Sequence, residues 1–522
     1  MKPHPFSLFL ETFAPKVENK SRQLNQAVWL LETTGTPDAA ELKASLDTEF
    51  KVLFSDAPTY QRLCEWDRDS ALKDPLLKRQ LNLLIRAFKQ NQIPEALLQK
   101  ISQKEAALAQ TYATFRPVLN GKSLSENDIR EILKVENDPM IRKKAWDASK
   151  QIGEALALQI LALVNLRNQA ARSLGYSDFF EMQLELQEVD RSWLLSLLDS
   201  FAKASNAAYT QAFHSIETAL SIRFKGSKGP WVWSDPFCQE DPLDTCELDH
   251  LVDGIDIPGV CLSFYRRMGI DVQPILKRSD LYEKAGKNQH AFCINMDRRG
   301  DVRTLNNVKP TIKWLETMLH EFGHAIYELG FEPRLPWLLS EPPHMITTEA
   351  MALIAGRQAY RSEALVHLVG QQRPDLMQKA DESLRRRELI FSRWVLVMSA
   401  FESELYRQPN QDLNRLWWSL VEKYQKIAPP AGREGKADWA AKYHIGLAPV
   451  YYFSYLLGEF FASSIQEALQ KTYGKKGLDN PEAGRFLQER LFAPGNRMSW
   501  SELIRQVTGQ SLSYDAWLRE FC

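Results

Sequence analysis

Along most of this chain apolar positions recur every three to four residues, the spacing of one buried face of an α-helix. Residues 21–35 (SRQLNQAVWLLETTG) run from a serine able to cap a helix start to a glycine able to cap its end. Residues 152–175 (IGEALALQILALVNLRNQAARSLG) repeat the pattern and again end on glycine. Residues 191–222 and 373–407 read the same way. Three stretches interrupt the rhythm: 224–243 (FKGSKGPWVWSDPFCQEDPL), 427–439 (IAPPAGREGKADW) and 474–484 (GKKGLDNPEAG). Their glycines and prolines mark loops. The first predicts a boundary between an N-terminal helical half, 1–230, and a second half, 231–522, which can interleave into one structural unit. A β-type segment occurs once. HAFCINM (290–296) and VRTLNNV (302–308) flank Asp297–Asp301, with Gly300 in the turn, and predict a hairpin. Pro310 then opens a helix through Leu329, with Gly330 as its C-terminal cap. The expected class is mainly α, with one small β-sheet next to that helix.

Composition mostly excludes. Hydrophobic residues at 44% and charged residues at 25% are those of a soluble globular protein. Lys and Arg number 65 against 66 Asp and Glu, so no global basic field gathers nucleic acid, and no nucleic-acid partner is expected. Six cysteines, at 64, 238, 246, 261, 293 and 522, form no CxxC pair, which fits free thiols in a reducing compartment. The start, MKPHPFSLFLETFAPK, is interrupted by Pro5, Glu11 and Pro15 and makes a poor secretory signal. No run of about 18 apolar residues predicts a membrane span. The expectation is a cytoplasmic protein without a membrane partner.

The candidate chemistry is HEFGH, residues 320–324, inside the helix just placed. His320 and His324 are four apart and project from one helix face, so two neutral imidazoles can share one tetrahedral Zn2+. Glu321 can then reach a water on the metal and take its proton. With nine histidines in the chain an accidental HExxH is expected in roughly 1% of such sequences, so chance is the weaker explanation. A catalytic zinc wants a third protein ligand, and Glu349 is the choice. It lies 25 residues past His324 in a second helical segment, ITTEAMALIAGRQAY, after a loop long enough to reverse the chain. Glu341 and His344 are nearer, but stand among prolines. A second cluster follows in KYHIGLAPVYYFSYLLG, 442–458. With Pro449 opening a helix, Tyr451 and Tyr455, or Tyr452 and Tyr455, share a face, and His444 precedes them in a loop. A tyrosine hydroxyl or histidine N–H aimed at a scissile carbonyl would stabilise its negative charge.

HEFGH with Glu349, followed by HIGLAPVYYFSYLLGE, resembles the thimet oligopeptidase and oligoendopeptidase F group of zinc peptidases. HAFCINMDRRGDVR before the HEFGH helix, EKYQKIAPPAGREGKADWAAKYHI, IQEAL and the N-terminal NQAVWLLETTG are similar to the angiotensin-converting enzyme (peptidyl-dipeptidase A) family. The resemblance implies a two-lobed helical body with a deep central channel that admits short peptides, and one zinc ion on His320, His324 and Glu349. It implies Glu321 as general base, and His290 and Ala291 on a strand that pairs with the peptide. It also implies that His444 contacts the carbonyl oxygen. If one residue is inserted between His444 and the helix, Tyr455 is the transition-state tyrosine, and Tyr452 and Lys442 hold the substrate carboxylate. The insertion leaves Tyr451 and Tyr452 competing for one role. The glutamine that helps hold the carboxylate in the converting-enzyme family has no assigned counterpart; the matching region reads PWVWSDPFCQ. The implied activity is hydrolysis of short oligopeptides. Its variants are release of C-terminal dipeptides and catalytically weak peptide binding.

Overall fold

A computed structural model describes residues 4–243, 246–370, 373–474 and 477–522. Helix makes up 69% of the chain, so the class is mainly α. The chain forms two compact units, each built from separated segments: Met1–Gln92, Cys246–Asp381 and Leu457–Trp517 in the first, and Ile93–Thr245, Glu382–Leu456 and Leu518–Cys522 in the second. No helix among the described residues is long and apolar enough to cross a membrane.

The first unit opens with a helix over Pro5–Thr34, longer than the expected 21–35. Its start is capped by His4, whose Nδ1 accepts from the Phe6 N–H at 3.1 Å. Gly35 closes it in the left-handed region at φ 62°, as read from the sequence. Pro15 sits inside it, and the helix continues because its apolar face is held. Phe13 packs on Phe54 and Phe88, with ring centroids 5.9 and 5.7 Å away, in a buried cluster with Leu10, Val17, Leu63 and Leu84. The HEFGH helix runs over Ile312–Leu329, two residues later than Pro310, and Thr311 caps it by accepting from the Trp314 N–H. Leu315, Met318, Leu319, Phe322, Ala325 and Ile326 are all buried, so the helix has solvent on almost no side. Beside it lies the expected hairpin, shorter than predicted. Phe292–Asn295 pairs antiparallel with Val302–Leu305 in the register Phe292↔Leu305, Cys293↔Thr304, Ile294↔Arg303 and Asn295↔Val302. Pairing ends there because Asn295 and Asp297 turn their carbonyl and carboxylate oxygens onto the turn N–H groups of Arg298, Arg299 and Asp301.

In the second unit the stretch expected as one helix over 191–222 is two, Arg191–Ala204 and Asn206–Arg223. The Ser205 hydroxyl donates to the Phe201 carbonyl (2.6 Å) and accepts from Arg393 (2.7 Å), anchoring the bend. The helix expected over 152–175 spans Gln151–Ser173, and that over 373–407 spans Pro374–Arg407. A second two-stranded sheet, Val118–Leu119 with Lys122–Ser123, turns through Asn120 and Gly121, both at positive φ. The loop expected over 224–243 is irregular but fixed. Arg142, Trp146 and Lys150 stand four residues apart along the chain. They donate to the carbonyls of Trp231 and Trp233 (Arg142) and of Pro236 (Trp146 and Lys150) at 2.7 to 3.0 Å.

Candidate active site

Two helices of the first unit build the metal group. The HEFGH helix carries His320, Glu321 and His324, and the helix Met345–Gly356 carries Glu349. They can approach closely because Gly323 has no side chain: a Cβ there would stand 2.7 Å from the Ala352 Cα. Gly458 does the same for a third helix, since a Cβ there would meet the Glu349 Cβ at 3.1 Å. His344 caps the Glu349 helix, with Nδ1 accepting from the Ile346 N–H at 3.0 Å. Glu341 pairs with Arg298 at 2.6 Å. The two nearer alternatives to Glu349 are therefore engaged in building the scaffold.

His320 Nε2 and His324 Nε2 lie 3.7 and 3.9 Å from Glu349 Oε2, and one ligand atom from each of the three falls within 4.8 Å of the others. Ligands about 2.0–2.1 Å from a tetrahedral zinc stand about 3.3–3.4 Å apart. The two histidine-to-carboxylate distances are within about half an ångström of that. Burial holds His320 down to about 4 and His324 well below the usual range, so both imidazoles are neutral, the form that binds metal. Burial pushes Glu349 up to about 7, and burial with the charge of Glu349 pushes Glu321 up to about 8. Two buried carboxylates beside two neutral imidazoles are short of positive charge, and a dication would supply it. The donor set fits Zn2+.

His290 and Ala291 precede the strand instead of lying in it. His290 is exposed, its N–H donating to Asn288 Oδ1 at 2.9 Å. The next residues, Phe292–Asn295, form an edge strand. Their partner strand is covered on its far side by Asp280, which exchanges backbone bonds with Thr304 and Asn306.

The second unit brings its own candidates together. His444 lies in a short helix, Tyr443–Leu447, where a loop was expected. Its ring is 4.8 Å from that of Tyr452, and the Tyr455 ring is 5.6 Å from Tyr452 and 5.1 Å from Tyr451. Burial and the charge of Lys442 hold His444 down to about 4. The tyrosine helix starts at Phe453, not at Pro449, so Tyr451 and Tyr452 precede it. The cause is Val450, whose φ of 56° cannot continue a helix. Its N–H donates to the buried Glu402 carboxyl (2.9 Å), and its carbonyl accepts from Gln187 (3.3 Å).

Lys442 is buried, with its Nζ 5.1 to 5.6 Å from the ring centres of Phe237, Trp394 and Tyr452. The ammonium donates to Gln239 Oε1 at 3.1 Å. Gln239 is the last residue of PWVWSDPFCQ and went unassigned in the sequence. It is set by Asp235, whose buried carboxylate accepts from the N–H groups of Phe237, Gln239 and Glu240 at 2.8 to 3.0 Å. An aspartate opening a loop was the one signal available.

Comparison with known proteins adds two family matches on different parts of the chain. Peptidase family M3 matches residues 277–522, which contain every site residue named from the sequence but not Gln239 or Asp235. The angiotensin-converting enzyme family matches residues 4–216. The chain is similar to the zinc oligopeptidases of both families. Angiotensin-converting enzyme of Sus scrofa is 23% identical over 70% of this chain and 31% of its own length. That of Oryctolagus cuniculus is 21% identical over 96% of this chain and 41% of its own length. That of Bos taurus is 24% identical over 75% and 33%. The chain thus spans 31% to 41% of the length of these relatives. The two family matches support a metallopeptidase acting on peptides.

Proposed function

We propose that this chain is a zinc-dependent oligopeptidase that hydrolyses short peptides. The observation that carries the reading is the convergence of His320, His324 and Glu349 donor atoms within 4.8 Å, with Glu321 next to the first of them. A Zn2+ held there would supply Lewis acidity toward the scissile carbonyl and acidify a hydrolytic water. Glu321 takes the proton from that water on its carboxylate and returns it to the leaving amine nitrogen. His444 and Tyr455 are assigned to the carbonyl oxygen by the resemblance. An imidazole kept neutral by burial has one N–H to donate, and a phenol has its O–H. The edge strand Phe292–Asn295, with His290 and Ala291 leading into it, suits a peptide added as a further strand. Free thiols at Cys64, Cys238, Cys261, Cys293 and Cys522 favour a reducing compartment such as the cytoplasm.

A specific observation favours the narrower reading of a peptidyl-dipeptidase. The buried Lys442 ammonium with Gln239 beside it is a group suited to a substrate carboxylate. The test is a mass-spectrometric product map of the zinc-loaded protein on free and C-terminally amidated peptides of about ten residues, with and without a chelator. Chelator-sensitive loss of C-terminal dipeptides, blocked by amidation, supports the narrower reading. Internal cuts indifferent to amidation support an oligoendopeptidase and remove Lys442 and Tyr452 from carboxylate binding. Zinc binding without cleavage leaves only peptide binding.

A further inference from the structure

We propose that the Thr348 hydroxyl is a positioning group for His324, accepting from its Nδ1–H in the metal-loaded state so that Nε2 presents a lone pair to the metal. The inference rests on the zinc reading above. His324 Nδ1 and Thr348 Oγ1 are 2.7 Å apart, and either atom can be the donor. If Thr348 donated, the single proton of the neutral ring would sit on Nε2. That is the nitrogen 3.9 Å from Glu349 Oε2, and it would have no lone pair for a metal. Ligation through Nε2 therefore requires Nδ1–H to donate and Thr348 to accept.

The hydroxyl is held in place by its neighbour. Thr347 Oγ1 donates to the His344 carbonyl at 2.8 Å and accepts from the Tyr327 hydroxyl at 3.2 Å. Tyr327 is on the HEFGH helix, so this chain of bonds clamps the first turn of the Glu349 helix against it. The stiff β-branched side chain of the next residue then points at His324. Thr348 and Glu349 thus do successive jobs, one orienting a ligand and the other supplying one. A hydroxyl differs here from a carboxylate, which could only accept and would preset the tautomer. With threonine the two directions of the bond compete until a metal selects one.

The test is zinc affinity by competition with a chelator of known affinity, together with the nitrogen-15 signature of the His324 ring. Thr348→Val removes the acceptor at nearly constant shape and is expected to weaken zinc binding about 10- to 100-fold. Thr348→Ser should bring affinity back to within a few-fold of the parent. Thr347→Val should lower Tm by loosening the turn while changing zinc affinity and the His324 signature less than Thr348→Val does, which separates orientation of the ring from general loosening of the turn. Thr348→Ala replaces the valine variant if that one does not fold. Unchanged zinc affinity in a folded Thr348→Val or Thr348→Ala protein overturns the proposal, as does a zinc-loaded parent ligated through Nδ1. A parent that binds no zinc at all overturns the zinc reading itself.

Discussion

The group around His320, His324 and Glu349 and the group around Lys442 and Lys150 are both buried and polar, and they are opposite in electrostatic sense. In the first, burial drives Glu349 and Glu321 up to about 7 and 8. In the second, burial drives Lys442 and Lys150 down to about 8 each. Phe237 links the two lysines, its ring centre 3.5 Å from Lys150 Nζ and 5.2 Å from Lys442 Nζ. Among the described residues neither lysine has a carboxylate within ion-pair distance; Lys150 donates to the Pro236 carbonyl and Lys442 to Gln239. The first group calls for a cation; in the second the nearby Asp235 charge offsets only part of the burial of the two lysines, and an anion would complete it. Buried charge of one sign is costly without its complement, and both signs recur in what a zinc peptidase must hold: a metal, and a peptide with a carboxylate.

The comparison breaks first at Glu321. Glu321→Gln should keep zinc content and lose about 10^2- to 10^4-fold in turnover, because the base is gone and the donors remain. Parental turnover in that variant would remove the residue from the mechanism. Next comes the approach of the two helices. Gly323→Ala forces a methyl against the Ala352 backbone at 2.7 Å and should cost about 1–3 kcal/mol, read as a lower Tm. An unchanged Tm would mean that the helices separate freely.

Lys442→Met sharpens the anionic side. It should raise KM for free-carboxylate peptides about tenfold and leave amidated peptides unchanged. Because burial lowers the Lys442 pKa from 10.5 to about 8, the unfolded chain binds more protons between those values, and parent stability rises with pH across that window. The variant should lack that contribution to the slope. Equal slopes in parent and variant would contradict it. The smallest effect is at Glu402, which burial pushes from 4.5 to about 8. Its contribution to stability is fully present below pH 4.5 and is lost as pH rises through about 8. Glu402→Gln keeps an acceptor for Val450 and should flatten that decline. A decline of the same size in the variant would assign it to other groups.

The same comparison explains what could be read in advance. The convergence of His320, His324 and Glu349 was legible because helix periodicity alone puts the two histidines on one face and a reversal of the chain brings the carboxylate beside them. Of the lysine group only Lys442 was named in advance, through the resemblance; Lys150 and the 235–239 loop lie far from it in sequence, and only the folded loop joins them. The start of the tyrosine helix was missed because Glu402, a residue 48 positions away, holds Val450 in a left-handed turn. The break at Ser205 was missed for the same kind of reason, a tertiary bond from Arg393. The Asn120–Gly121 hairpin was missed although its dipeptide is a hairpin signal, because its strands are only two residues long and show no alternation. The long first helix was underestimated because Pro15 reads as a breaker when the apolar cluster that holds the helix is out of view.

The most direct test is to strip the protein with a chelator and titrate Zn2+ back while following cleavage of a quenched decapeptide. Activity should be absent at the start, rise in proportion to added zinc and break at one ion per chain. Cleavage that survives stripping, or a fully zinc-loaded protein that never cleaves, would contradict the account.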